Sequence, residues 1–302
     1  MGVQKEAFLS TLAENLFEGI EFLNMATSHD AFVDNNIVHM PQSGTLPNVV
    51  KDRDVIPAPL KKRTDSNLTY TLSSFTSDPA VVQNIEELQT NYPKRASVMY
   101  DHQEALKDEL GKYGAYEWAA SGAADSARVV RTSGASTSQG PFGDTKKIVV
   151  KEDIRDLAKA MDKDKVPKAG RKLMMYTDMY YELFGEDALL RKDFMDRAGL
   201  PDGVINRLFG FDIMVSEDHI PIYSNDANPV KRAVGTAAVS NDNYACIAWH
   251  PQMVAKAMGS MDVFINLQDA TLYGDALSAE IMFAASLLRS DRRGIAALVQ
   301  SA

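Results

Sequence analysis

The stretch that decides the fold is YPKRASVMYDHQEALKDEL, residues 92–110. After its proline, apolar residues recur at three- and four-residue steps, and most of the positions between them are polar or charged. The apolar set is Ala96, Met99, Leu106 and Leu110. This spacing predicts a long amphipathic helix with one face on a core and the other exposed.

Capping and breaking residues predict the limits of this helical region. Asp78 followed by Pro79 is a good helix start, because the aspartate can cap and proline suits the first helical turn. Pro93 is expected to separate or kink two helical pieces. Gly111 or Gly114 is the predicted end.

Residues 36–78 have the opposite character. Short alternating runs, NIVHM at 36–40 and LTYTL at 68–72, are interrupted by prolines and predict the strands of a long β-hairpin. Its middle is charged and poor in apolar residues, so it cannot belong to a core. Ahead of it, apolar residues at helical steps over 4–23 predict an N-terminal amphipathic helix.

The second half of the chain alternates between predicted helices and strands. Residues 121–144 are rich in Gly, Ser, Ala and Thr, which predicts a flexible loop and a subdomain boundary. The elements predicted after it are helix 151–162, strand 171–176, helix 177–183, helix 189–197, strands near 203–215, strand 244–249, helix 251–257, and strands 277–288 and 294–299. This mixture is typical of the α+β class.

Charge and motifs exclude several functions. With 41 acidic and 32 basic residues the net charge is −9, which disfavours a dedicated nucleic-acid binder. The single cysteine, Cys246, lies among apolar residues and is expected to be a buried hydrophobe. The sequence lacks a secretory signal, an apolar membrane span and a phosphate-binding glycine motif, and its five histidines are too scattered to bind a metal. No cofactor is expected.

His219 beside Asp218, and His250 after Trp249, are the residues that an acid–base enzyme would use. Such residues more often end a strand and cap the next element, so we expect no catalytic residues here.

Several motifs resemble, in order, those of the major capsid proteins of tailed bacteriophages. They are the helix of residues 92–110 continuing to Trp118, then VPKAGRKLMMY at 166–176 with YYEL at 180–183, GFDIMVS at 210–216 and ACIAWH at 245–250. The family counterparts are the spine helix, a unit of helix, P-x-x-G-R, strand and short helix, a G-F-x-V-x-x-S strand, and a strand ending in an aromatic residue and His.

The resemblance implies an α+β tailed-phage major capsid fold, which encapsulins share. It divides the chain into an N-terminal arm (1–35), an extended β-hairpin loop (36–78), a spine helix and peripheral domain (79–150 with 271–302) and an axial domain (151–270). In this family the extended loop reaches over an adjacent subunit. That agrees with the scarcity of apolar residues in the segment.

The implied function is structural and not enzymatic. Hexamers and pentamers of the chain would form an icosahedral or prolate shell around the phage genome, with scaffold, portal and decoration proteins as further partners and only weak, unspecific DNA contact. The chain would be made and assembled in the host bacterial cytoplasm and end in the virion capsid, without a membrane. An encapsulin-type compartment is the alternative, and a soluble α+β enzyme the third reading.

Candidate interface residues are basic, since cations on the loop can meet acidic helix faces of a neighbour and set register and assembly rate. They are Lys51, Arg53, Lys61, Lys62, Arg63, Lys94 and Arg95.

Overall fold

The computed structural model describes residues 19–42, 44, 48–54, 56, 62, 65–83, 94–183, 207–269 and 271–302. Its strands are β1 Thr27–Ser28, β2 Val33–Asp34, β3 Ile37–Gln42, β4 Ser66–Thr71, β5 Ser73–Thr76, β6 Ala80–Gln83, β7 Val129–Arg131, β8 Ser138–Gln139, β9 Thr145–Lys146, β10 Arg171–Met175, β11 Arg207–Leu208, β12 Phe211–Val215, β13 Ala245–Trp249, β14 Val254–Asp269, β15 Gly274–Leu287 and β16 Ile295–Val299. Its α-helices are α1 Lys94–Trp118, α2 Gly122–Asp125, α3 Lys151–Lys163 and α4 Thr177–Glu182.

The long helix predicted from residues 92–110 is α1, and it runs past both glycines at which we expected it to end. The glycines are packing positions: a Cβ on Gly111 would lie 2.4 Å from the His219 ring, and one on Gly114 would lie 2.3 Å from Leu23. Close approach of neighbouring elements therefore explains them better than helix termination does. Trp118, at the true end of α1, is fully buried.

α1 packs on a sheet built around the hairpin of β14 and β15, with strand order β1-β14-β15-β5 and β6 also paired to β15. Leu106 and Leu110 of α1 share one core with Ile281 and Phe283 of β15. At the helix end the Trp118 ring lies 5.8 Å from that of Trp249, which brings β13 of a second sheet against the same core.

That second sheet has six strands in the order β11-β12-β10-β13-β16-β7. β13 and β16 are buried along their whole lengths, as expected for central strands covered on both faces. α3 covers one side through Ile154, Leu157, Ala158 and Met161, whose spacing forms a single helix face. The Asp153 carboxylate accepts a hydrogen bond from the Val150 backbone N–H at the start of α3.

One predicted helix start and one predicted helix are wrong. Residues 84–93, in which the first of these helices was expected to continue, lie outside the described residues. Asp78 and Pro79 precede strand β6, whose residues pair with β15. The predicted helix 251–257 instead begins β14, a 16-residue strand paired with β15 along its length. In both places pairing with β15 overrides the local helix signal, which is a weak preference next to tertiary contacts.

The loop predicted for 121–144 is built into the fold. It contains α2, β7 and β8, and the Ser133 hydroxyl donates to Asp153 at 2.6 Å. The helix predicted at 189–197 and residues 4–18 of the N-terminal helix lie outside the described residues, while Glu21–Asn24 form a 3-10 helix. The division into arm, loop, peripheral and axial domains stays a prediction.

Candidate assembly surface

From here on, the arm means residues 33–72, which carry β2, β3 and β4 and include most of the predicted extended loop; it is not the predicted N-terminal arm of residues 1–35. β3 and β4 pair antiparallel from Ile37 opposite Thr71 to Gln42 opposite Ser66, so the predicted hairpin is present. Its base is anchored to the body, because Val38 and Leu72 are buried against Ala257 and Ala284 of the long hairpin.

Beyond its base the arm leaves apolar side chains in water. Val49 is 90% exposed and Ile56 is 85% exposed, and Val50 is about half exposed. Scattered exposed apolar residues are common on monomers, but three within eight positions make this stretch of the arm a candidate contact surface. None of the described residues buries these three side chains.

The basic residues proposed for the interface fall into three groups. Lys51 and Lys62 are exposed and Arg53 is partly exposed, all on the arm. Within the part of the chain that the structure describes, Lys51 lies 3.9 Å from Asp52, with both side chains almost fully in water, and this contact contributes little to the fold. Lys61 and Arg63 lie outside the described residues, as does the side chain of Lys94, the first residue of α1.

Arg95 has an internal role. Its Nη2 lies 2.6 Å from Oδ2 of Asp275, a fully buried carboxylate near the start of β15. A buried carboxylate requires such a partner, since an uncompensated charge in the interior is costly. The pair therefore ties the first turn of α1 to β15.

The outward side of α1 is mainly acidic. Asp101 is exposed, Glu104 and Asp108 are about two-fifths exposed, and Tyr100 lies beside them. Lys107 and Lys112 pair with Glu104 and Asp108 within the helix. This face is the kind of acidic helix surface that the cations of the arm can meet.

The residues that an enzyme would have used are packed as structural groups. His219 Nδ1 lies 2.9 Å from the Ser216 hydroxyl, and its ring stacks obliquely on Phe22 at 5.5 Å. His250 Nε2 donates to the Ala169 carbonyl at 3.1 Å. Burial lowers the pKa of both imidazoles.

A cleft of about 310 Å³ opens beside His219, between α1 and the loop at 218–237. It is open to solvent and its charged rim carries both signs, Lys112 and Arg232 against Glu109 and Asp218. Within the described ranges no three His, Cys, Asp or Glu side chains come together to hold a metal ion.

Sequence reasoning missed two ionic clusters, each built on one buried charged residue. Asp125 accepts from Arg128 at 2.8 Å and from Arg292 at 2.9 Å, joining α2 to the turn before β16. Arg171, 1% exposed, is the arginine of the P-x-x-G-R motif and donates to Asp162 and to three backbone carbonyls. Only the motif itself gave a sequence signal for Arg171.

Cys246 is fully buried, as expected, with its Sγ 3.7 Å from the Met179 sulfur. Burial raises its thiol pKa to about 12, so it is not a reactive group. None of the helices in the described part combines the length and hydrophobicity that a membrane crossing requires.

No protein-family profile matches the sequence, and neither does any curated protein. Solved structures do match over almost the whole chain. The capsid of Ralstonia phage GP4 superposes with a TM-score of 0.67 at 10% identity, covering 92% of this chain and 87% of that one. The capsid of cyanophage P-SCSP1u gives 0.66 at 16% identity over 91% and 86%. The capsid of cyanophage Pam1 gives 0.61 at 12% identity over 94% and 91%. The chain therefore has the α+β fold of these phage capsid proteins.

Proposed function

We propose that the chain is a major capsid protein: copies of it assemble, as hexamers and pentamers, into the closed shell that holds a tailed-phage genome. The observation that supports this most strongly is the fold itself, shared over more than nine tenths of the chain with proteins described as phage capsids. Shell subunits need many modest contacts multiplied by symmetry, not a catalytic pocket.

The arm supplies the second line of support. A segment with exposed Val49, Val50 and Ile56 gains stability when it lies on another surface, and in a shell that surface belongs to a neighbouring copy. Its cations, Lys51, Arg53, Lys61, Lys62 and Arg63, complement the acidic outer face of α1. Such complementarity sets register and rate more than affinity, so assembly should slow as salt rises.

Scaffold, portal and decoration proteins, the virion location and assembly in the host cytoplasm belong to the same proposal. A net charge of −9 suits a container whose lining does not grip the packaged duplex. The subunit should therefore bind DNA weakly at physiological salt.

The test is assembly of the expressed chain, followed by size-exclusion chromatography and negative-stain microscopy. Rings, tubes or shells are expected, with or without a co-expressed scaffold. A monomer that resists assembly even with scaffold contradicts the proposal. Shells that co-purify with an enzyme carrying a cargo peptide would instead indicate an encapsulin-type compartment, and a small oligomer that turns over a substrate would indicate an enzyme.

Arm variants sharpen this test. Val49→Asp and Ile56→Asp place charge on side chains that touch little of their own subunit, so monomer stability should change by less than about 0.5 kcal/mol while assembly falls sharply. Val239→Asp, at another exposed valine, is the matched control and should assemble normally. Normal assembly of both arm variants would show that Val49 and Ile56 do not contribute to the contacts between subunits.

A further inference from the structure

Among the described residues, the far half of β14 has no strand paired to its second backbone edge. On one side β14 pairs with β15 as far as Asp269 opposite Gly274. On the other side β1 pairs only with Ala255 and Lys256, and the Met258 backbone N–H donates to an Asp30 carboxylate oxygen at 2.7 Å. Among the described residues, no strand continues this side from Val263 to Leu267.

This edge lacks two of the common protections against pairing, lysine and proline. Exposed edge strands commonly carry lysine or proline, which block the addition of another strand. Here the sequence is Val263-Phe-Ile-Asn-Leu267, with neither residue type and no charge. Phe264 is 52% exposed on the outer face, whereas Val263 is buried on the core face. Register irregularities lie on both sides, between Met258 and Met261 and between Asn266 and Asp269, so the regular segment is short and defined.

We propose that this edge is a contact between two copies of the chain, whose β14 strands pair antiparallel about a two-fold axis centred on Phe264. The inference rests on the proposed function, since it names one of the contacts that join copies in the shell. It continues the sheet from one subunit into the next and covers backbone groups that the subunit itself leaves at the edge.

The register follows from charge and geometry. Centred on Phe264, the two rings lie opposite each other, Val263 meets Ile265, and Asp262 meets Asn266, which can hydrogen-bond to it. A centre on Asp262 would place two carboxylates directly opposite each other. A centre on Asn266 would carry the ladder into the irregularity before Asp269. Of these three registers, the Phe264 register avoids both penalties, and it pairs like with like on each face of the sheet.

A second copy fits the edge better than an unrelated strand does. The segment is self-complementary: each position meets a suitable residue when the same sequence runs in the opposite direction, as a two-fold interface requires. Tyr273, in the turn that follows β14, is 78% exposed at a φ of 51°, an uncommon conformation for a bulky residue. It adds a second exposed aromatic ring at the same end of the hairpin.

Phe264→Cys tests the register directly, because the natural cysteine is buried and cannot compete. Opposed cross-strand Cβ atoms are close enough for a disulfide or a short bis-thiol linker. Assembled Phe264→Cys shells should give covalent dimers under mild oxidation. Ser278→Cys, one strand inward and directly opposite Phe264 on β15, is the control and should remain monomeric. Shells that form from Phe264→Cys without dimers, or with equal dimers in both variants, overturn the inference.

If the Phe264→Cys variant fails to assemble, hydrogen exchange on the wild-type chain tests the edge contact instead. Edge amides within 263–267 should exchange at least about tenfold more slowly in shells than in free subunits, because pairing protects them. Unchanged exchange in well-formed shells refutes the edge contact and leaves the proposed function intact. A wild-type chain that forms no shells refutes the proposed function, and the edge contact with it.

Discussion

Replacing Arg171 by methionine should lower the free energy of unfolding more than a surface substitution does. Arg171 is 1% exposed and donates to the carbonyls of Val166 at 2.6 Å, Pro167 at 2.9 Å and Ala158 at 3.3 Å. It also pairs with Asp162 at 2.6 Å. One guanidinium thus fastens the turn between α3 and β10, where Gly170 takes a φ of 82°.

The expected loss follows from what the substitution leaves behind. Asp162 is two-fifths exposed and can return to water, so its lost pairing costs little. Three carbonyl oxygens lose a donor, at about 1 kcal/mol each. Methionine fills much of the volume, so the expected loss is about 3 kcal/mol in the free energy of unfolding. A domain has only about 5–15 kcal/mol in total.

Urea unfolding of the unassembled subunit measures this loss, with fluorescence of the buried Trp118 and Trp249 as the signal. Arg171→Lys keeps the charge but cannot span four acceptors, so it should lose about half as much. The matched control is Arg155→Met on the exposed side of α3, expected within about 0.5 kcal/mol of wild type. If Arg171→Met is also within 0.5 kcal/mol of wild type, the reasoning about the turn is refuted.

Three further outcomes are expected. Gly114→Ala should cost about 1–2 kcal/mol, because overpacking against the buried Leu23 exceeds the helix-propensity gain, and Leu23→Ala in the same chain should recover part of it; additive losses would contradict this. Stability should fall as pH drops below about 6.5, because burial lowers the folded-state pKa of His29, His102, His219 and His250, while the same histidines in the unfolded chain still take up protons. The urea midpoint should therefore be lower at pH 5 than at pH 7.5. His250→Gln should make the change in stability with pH smaller, and an unchanged pH dependence in this variant would contradict a contribution from His250. The free subunit should show no DNA affinity in the micromolar range at physiological salt by fluorescence anisotropy, and tight binding would contradict the argument from net charge.

The sequence predicts elements well where local and tertiary preferences agree. Helix α3 carries its apolar residues on one face, and β13 and β16 are short apolar runs that occupy the centre of a sheet. The arm strands were predictable because each is a short run of alternating residue types within a proline-rich segment. The resemblance of ordered motifs predicted the α+β capsid fold, which the structural comparisons confirm.

The failures share a physical cause. Residues 254–258 read Val-Ala-Lys-Ala-Met, a composition that favours a helix, yet β15 supplies a partner along their whole length. Gly111 and Gly114 look like helix ends until His219 and Leu23, far away in sequence, are placed against them. Partners of this kind cannot be read from a local window.

The candidate interface was predictable only in part. The cations of the arm follow from composition, whereas the ion pair of Arg95 with Asp275 does not, because Asp275 lies far along the chain. The interface role of these residues stays a prediction. The edge of β14 was not anticipated, since residues 251–257 at the start of this strand were predicted as a helix and no element was predicted for residues 258–276.

The topology of the six-stranded sheet affects the order in which the subunit folds. β7 pairs in parallel with β16, and Arg131 donates to the carbonyl of Gln300, 169 residues further along the chain. Closing so large a loop is slow, because its entropy must be lost before the contacts form. Helix α1 and the hairpin of β14 and β15 are each built from contacts between residues close in sequence, so they can form first. A newly made subunit would thus pass through a stage with a structured half and an open sheet edge, which is the stage at which a chaperone would act.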